Sequence, residues 1–347
     1  MRPTLLPNRP IQAAIGTLAI AVSSLAYNAA AYAQAAYSPP RTPWGDPDLQ
    51  GKWPATAMVG VPLQRDQELG ARNELNDEEF AARVARAEQQ RDLDNADFEL
   101  ENAASTPGGA VGGAVSPPPH WLERGEPQRQ ASLIVSPADG RMPPQTAEAQ
   151  ARAAELRAYR ESRGPADSYT DRSLYDRCIT RGIAGSVLPV IYNNGNVIVQ
   201  APGYVAFVNE MIHETRIIPL DGRPHVEADI KLWMGDSRGR FEGDTLVVET
   251  TNLTDRTGIG ANGGGGRHSA ALKVIERFTR IDEDTIDYSM TIDDPKTWTQ
   301  PWTIQFPLER DDGYGMYEYA CHEGNYALFN ILSGARADER AAAAAAR

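Results

Sequence analysis

The chain has 347 residues, a formal net charge of −13, 41% hydrophobic residues and 23% charged residues. This length supplies ample core for one large domain or two ordinary ones, and the composition is that of a folded chain, neither collagenous nor disordered. The acidic balance argues against a nucleic-acid binder, which needs a basic footprint, and two cysteines exclude a disulfide-dense scaffold or a multi-cysteine zinc module.

Residues 1–33 read as a secretory signal peptide. Arg2 and Arg9 supply the positive start, Ile11 to Ala26 the apolar stretch, and Ala31-Tyr32-Ala33 a small-x-small cleavage site before Gln34. The apolar run is shorter than the roughly 18–20 residues that span a bilayer, so cleavage is expected in place of anchoring, with a periplasmic or extracellular destination. No later run is long or apolar enough to cross a membrane. Loss of 33 residues, with two arginines and no acid among them, leaves 314 residues and a charge of −15.

Residues 34–182 read as an N-terminal segment with helices. Turn residues in Arg41 to Thr56 surround one short strand near 51–56. Gly51-Lys52-Trp53 matches the G-x-W of lipocalin-like barrels, but three residues are a weak match and a tryptophan anchoring the chain to a core is the favoured reading. Asn76, with Glu79 three residues on, forms a capping-box pattern ahead of Phe80, Val84 and Ala87 on one helical face. Residues 65–101 hold 12 acids and 5 arginines, a local charge of −7, which reads as a solvated helix face or a docking surface for a basic partner. Residues 103–119 are a Gly/Pro-rich linker. A second helix is expected from Thr146 to about Arg163.

Residues 183–340 read as an antiparallel β domain with a C-terminal helix, and 341–347 as an Ala-rich tail. Period-two patterning predicts strands at 197–201, 204–212, 215–219, 231–234, 245–252, 272–281, 285–293, 302–307 and 316–320, separated by turn pairs such as Asn194-Gly195 and Asp221-Gly222. The last helix is expected from Tyr326, burying Phe329, Ile331 and Leu332, with Gly334 as an interruption. The fold class is mainly β: an antiparallel barrel-like or sandwich core with N-terminal and C-terminal α-helices. In an oxidising compartment Cys178 and Cys321 are expected to pair.

Polar residues on apolar strand faces carry the candidate chemistry. Glu276 lies between Val274 and Phe278 on one face, and His213 follows Val205, Phe207 and Met211 at alternating positions. Glu210 shares the opposite face with Tyr204 and Ile212. A buried carboxylate beside a histidine makes a general acid–base pair, so His213, Glu276 and Glu210, with His268 from a nearby loop, are the catalytic candidates; a carboxylate satisfied by a buried arginine is the alternative. Arg216 and Arg238 are candidate substrate anchors, and Tyr204, Trp233, Tyr288 and Trp302 candidate aromatic lining. His213, His225 and His322 would give a metal site only by long-range assembly, because no metal-ligand spacing is present. Residues 233–244 read as a hairpin held by Asp–Arg contacts. Residues 258–263 match G-x-G-x-x-G, but a strand follows where a dinucleotide site needs a helix, so residues 257–269 read as a hairpin loop that brings Arg267 and His268 toward a ligand.

The segments TPWGDPDLQGKW, IIPLDGRPH, GDSRGRFEGDTLVVETTN and YEYACHEGNYALFNIL together resemble a family of uncharacterised secreted bacterial proteins. The resemblance implies a signal peptide and a shared fold and carries over no reaction. The expectation is an exported enzyme doing acid–base chemistry on a small molecule without a cofactor. The alternatives are a carrier of an apolar or aromatic ligand, a metal-dependent enzyme, and an interaction module using the acidic helices.

Overall fold

A computed structural model describes residues 37–96 and 121–346. The expected signal peptide at 1–33 and the linker at 103–119 lie outside the described residues. Ser38–Arg347 forms one compact unit.

Two antiparallel sheets make the core. One has four strands, β1 (Gly51–Lys52), β3 (Asn196–Ala201), β4 (Tyr204–Asn209) and β5 (Thr215–Pro219), in the order β1-β3-β4-β5. The other has six, β2 (Ile134–Ser136), β6 (Asp236–Glu242), β7 (Thr245–Thr251), β8 (Lys273–Arg280), β9 (Thr285–Asp293) and β10 (Trp302–Glu309), in the order β2-β10-β9-β8-β7-β6. Each order has two ends, so neither sheet closes and the barrel-like alternative is corrected to stacked open sheets. The segment before residue 183 is part of these sheets, because β1 pairs with β3 and β2 pairs with β10.

Alternation determines which face is buried. Ile286, Tyr288, Met290 and Ile292 of β9 are buried, and Trp302, Ile304 and Phe306 of β10 join them. Each such side chain stabilises the fold by about 1.5–3 kcal/mol over its exposed state. An aromatic row crosses from sheet to sheet, with ring centroids 5.4 Å apart for Phe207–Phe278, 4.9 Å for Phe278–Tyr288 and 5.3 Å for Tyr288–Phe306. Trp53 is fully buried, its Nε1 donating to Leu49 O at 2.8 Å, and is therefore a core anchor.

Three strand expectations fail for identifiable reasons. Residues 231–234 contribute only one isolated bridge, Leu232 to Leu253. Asn252 folds this stretch into a loop, its Nδ2 donating to Glu227 O at 2.8 Å and Ile230 O at 2.9 Å. Residues 316–320 join no ladder. The strand expected over 204–212 stops at Asn209, because Ile212 (φ 54°) and His213 (φ 46°) adopt left-handed backbone that ends an extended run. Conversely, β6 was hidden by its charge: Asp236, Arg238, Arg240 and Glu242 alternate with buried Ser237 and Gly239 and pair with β7 from Asp236↔Thr251 to Glu242↔Thr245.

The helices follow their caps. In α1 (Asp77–Ala96), Asn76 Oδ1 accepts from Glu79 N at 2.9 Å and Glu79 Oε2 accepts from Asn76 N at 2.9 Å. In α2 (Ala147–Glu161), Thr146 caps Ala149 N. A four-residue helix, α3 (Gly182–Gly185), is wholly buried. The last helix, α4 (Tyr326–Ala345), runs through Gly334 and on through the Ala-rich tail, which is helical to Ala345, and buries no residue. Phe329 is 71% exposed, which corrects its expected burial. No helix among the described residues is long and apolar enough to cross a membrane.

The expected disulfide is present: Cys178 and Cys321 are bonded with their Cα atoms 5.6 Å apart, across 143 positions of sequence. On the chain-entropy account, closing such a loop stabilises by roughly 5 kcal/mol.

Candidate functional site

The expected acid–base pair is not assembled. Glu276 points into the space between the sheets, where Arg216 of β5 grips it in two bonds, Nη1–Oε2 at 2.5 Å and Nη2–Oε1 at 2.8 Å. Tyr288 donates its hydroxyl to Glu276 Oε1 at 2.9 Å. The pair is out of solvent, with side-chain exposures of 4% for Arg216 and 0% for Glu276. Burial works against the charge on Arg216, yet the carboxylate beside it holds the guanidinium pKa above its ordinary value, and burial with the same carboxylate raises Tyr288 well above its own. Arg216 is thus tied to Glu276 and turned away from any ligand at the surface. His213 is exposed on its turn, whereas Glu276 is sealed in the core.

Glu210 is buried and acts as a clamp. Its Oε1 accepts from Asn193 Nδ2 at 2.9 Å and Tyr317 N at 3.1 Å, and its Oε2 from Tyr314 Oη at 2.8 Å and Gly195 N at 3.2 Å. It ties residues 314–317 to the four-stranded sheet. Arg238 binds Asp236 at 2.6 Å and Pro224 O at 3.1 Å, and His225 Nδ1 lies 2.9 Å from the other Asp236 oxygen, so the 233–244 stretch is a braced hairpin. The proposed aromatic lining does not converge. Tyr288 and Trp302 lie in the core, whereas Tyr204 is exposed and its Oη accepts from Arg223 at 3.1 Å. Trp233 is half-buried on the 231–234 loop. His322 is exposed, and no group of three or more His, Cys, Asp or Glu among the described residues is placed to hold a metal ion, so His213, His225 and His322 do not form one site.

A different constellation stands out beside the disulfide. Arg181, between Cys178 and α3, is 1% exposed, and its Nε, Nη1 and Nη2 are buried without a hydrogen-bond partner. Its guanidinium lies 4.4 Å from the ring centroid of Tyr175 and 5.8 Å from that of Tyr192. The phenols form a chain, Tyr175 Oη being 2.5 Å from Tyr192 Oη and 2.6 Å from Tyr319 Oη. Burial pushes Tyr192 up to about 12 and raises Tyr175 and Tyr319, with Arg181 pulling each the other way. All three tyrosines are half-buried, so the group runs from a buried cation toward the surface. Cation–π contact returns roughly 0.5–2 kcal/mol, less than the several kcal/mol that an unpaired buried ion costs.

The glycine-rich loop packs against this cation from behind. A Cβ on Gly185 would sit 2.7 Å from Gly263 N and 3.1 Å from Arg181 Cβ, and one on Gly258 would sit 2.3 Å from Gly264 O. The glycines therefore permit close backbone approach. The loop is pinned shut at its base, where His268 Nδ1 is 2.9 Å from Ser269 O and Nε2 is 2.7 Å from Thr257 Oγ1. With Nδ1–H donating to the carbonyl, Nε2 accepts from the threonine, so His268 is a neutral, buried brace. Burial lowers its pKa.

Glu214, next to His213, is the acid in an unusual state. Burial raises its pKa to about 7 against the opposing pull of Thr180 and Arg216, and its Oε2 is buried without a partner. Thr180, one of the two groups opposing the rise, immediately precedes Arg181.

Sequence reasoning missed Arg181, Tyr175 and Tyr192, and weighed Glu214 only as a carboxylate partner of the three histidines. None lies on an alternating strand, so no period marked them as facing inward; the one usable signal was the placement of Tyr175, Arg181 and Tyr319 within three residues of the two cysteines. Comparison of the chain with known protein families, with characterised proteins and with solved structures gave no match.

Proposed function

We propose that the protein binds a small planar organic anion, such as an aromatic carboxylate, at Arg181. The observation that carries this reading is a guanidinium with three buried, unpartnered nitrogens, flanked by tyrosine rings and a chain of phenolic hydroxyls. A carboxylate would supply the missing counter-charge through paired N–H···O bonds, and the ring faces would cover a planar body. The disulfide fits an oxidising compartment. Export to a periplasm or the medium is part of the proposal.

Whether the bound molecule is only held or also transformed turns on Glu214. Its pKa of about 7 suits general acid–base catalysis near neutral pH, which favours an acid–base enzyme over a carrier as a second reading.

The test is calorimetry with benzoate and 4-hydroxybenzoate on wild-type, Arg181→Lys and Arg181→Met proteins. Saturable binding to the wild type is expected, weakened about tenfold or more by lysine and abolished by methionine. Without ligand, Arg181→Met is expected to be neutral or stabilising, since it removes an unpaired buried charge. Strong destabilisation by methionine, together with no binding of either acid to the wild type, would make the arginine purely structural and end the reading.

A further inference from the structure

We propose a second ligand site, for a small amphipathic oxyanion with one charged head on a short apolar body, in the cavity between α1 and residues 124–128. The cavity has a volume of about 320 Å³. That is the lower end of the roughly 300–1,000 Å³ found for small-molecule pockets.

One face of α1 forms its wall. Arg83, Arg86 and Arg91 project into it, and Arg124 faces them from the opposing segment. Positions 83, 86, 87, 90 and 91 follow helical spacing, so a helix in an acidic region turns a basic stripe inward. Four guanidiniums meet a single lining carboxylate, Asp66. Arg124 is answered from outside the lining by Asp94 at 2.8 Å, and Arg91 by Glu126 at 3.9 Å. Arg83 donates to Gln128 O at 2.6 Å and Gln130 O at 2.7 Å, which fixes its position and leaves its charge in place. Burial lowers the Arg83 pKa, Arg86 adds to this as a like charge, and Asp66 opposes it; among the described residues Arg86 forms no ion pair. Against the carboxylates Asp66, Asp94 and Glu126, the four arginines leave one positive charge in excess.

Val59, Pro62, Ala87 and Pro127 supply apolar wall beside that charge. An oxyanion headgroup would take the excess charge at Arg86 and Arg83, and a short alkyl or aryl body would cover the apolar wall. A bare inorganic anion would leave that wall wet, and a neutral apolar molecule would leave the charge unanswered.

The probe is octanoate, titrated calorimetrically into the full chain with its disulfide intact, with octanol and acetate as controls. Octanoate is expected to bind saturably, and octanol and acetate at least tenfold more weakly. Arg86 is exposed, so Arg86→Glu is expected to fold, as checked by circular dichroism, and to weaken octanoate at least tenfold; Arg86→Gln should fall between. Arg181→Met is expected to leave octanoate affinity unchanged, which separates this site from the Arg181 site. No saturable octanoate binding, equal binding of octanol, or an affinity untouched by Arg86→Glu would each overturn the proposal. Loss of octanoate binding in Arg181→Met alone would overturn it also, by assigning the anion to the other site.

Discussion

Breaking one partner of the Arg216–Glu276 pair is expected to be among the most destabilising single changes in this chain. In Glu276→Leu the guanidinium stays charged, with 4% of its side chain exposed, and loses both of its charge-assisted bonds. Leaving a buried ion without its partner costs about 3–5 kcal/mol, against a total stability of about 5–15 kcal/mol for a typical folded protein. Arg216→Met strands the carboxylate instead, with only Tyr288 still donating to it, and should cost a similar amount. The double variant Arg216→Met/Glu276→Leu removes both charges and fills the space with apolar atoms, so it should lie within about 2 kcal/mol of wild type. The cycle then has a coupling energy of several kcal/mol, well beyond the few tenths seen for independent sites. Urea unfolding of the oxidised protein, followed by tryptophan fluorescence, measures all four corners. Single variants that cost less than about 1 kcal/mol, or a double variant whose loss equals the sum of the two, would show that the pair is solvated and not a sealed core contact. Glu276 would then return as a candidate acid.

Stability should fall as pH rises from about 4.5 to 7, through Glu214. Its folded pKa of about 7 exceeds the ordinary 4.5, so the folded state holds the proton more tightly. The contribution is full below the unfolded pKa and lost through the folded one, at most about 3 kcal/mol before solvent screening reduces it; Glu214→Gln should abolish this slope, and an unchanged slope in that variant would refute the assignment. His268 has the opposite sign: its pKa is lowered, so its contribution is present above the ordinary 6.5 and fades as pH falls below it. By NMR its imidazole should take up a proton at lower pH than an unperturbed histidine, and Thr257→Val, which orphans Nε2, should cost about 1–3 kcal/mol in a thermal or urea melt. Reduction of Cys178–Cys321 should lower stability by roughly 5 kcal/mol and, because Tyr319 is two residues from Cys321, weaken benzoate binding; retained affinity in the reduced, still folded protein would detach the site from the bridge.

The sheets were legible wherever burial imposed a clean alternation. Strands β5 and β9 were readable to the residue: the inward face of β9 is uniformly apolar, and β5 alternates clearly even though its inward face sets Arg216 beside Ile218. Strand β6 was not, because its outward side is entirely charged and two of its three inward positions, Ser237 and Gly239 ahead of Phe241, are too small to read as hydrophobic. The last helix was placed correctly and its packing was not: an apolar trio at helical spacing marks a face but cannot say that the chain brings anything to cover it. The site was less legible still. Glu276 was rightly singled out as a carboxylate on an apolar face, and whether it meets a histidine or an arginine depends on which β5 residue lies opposite, a register that local sequence does not contain.

Three glutamates near the four-stranded sheet show why burial alone does not identify chemistry. Glu276 is the most deeply buried, yet a bidentate arginine and a tyrosine saturate it, so no proton can be exchanged there without breaking the core. Glu210 is as well satisfied, by two backbone amides and two side chains, and serves to tether the 314–317 segment. Glu214 is less buried than either, but one of its oxygens has no partner, and desolvation without compensation is what moves a carboxyl toward neutrality at pH 7. Arg181 repeats the logic with the opposite charge: enclosed, flanked by rings, and unanswered. A fold that satisfies Arg216 and Glu276 with each other had the means to pair these two groups as well. That both are left incomplete is the physical reason to seek a ligand at these groups and not in the core.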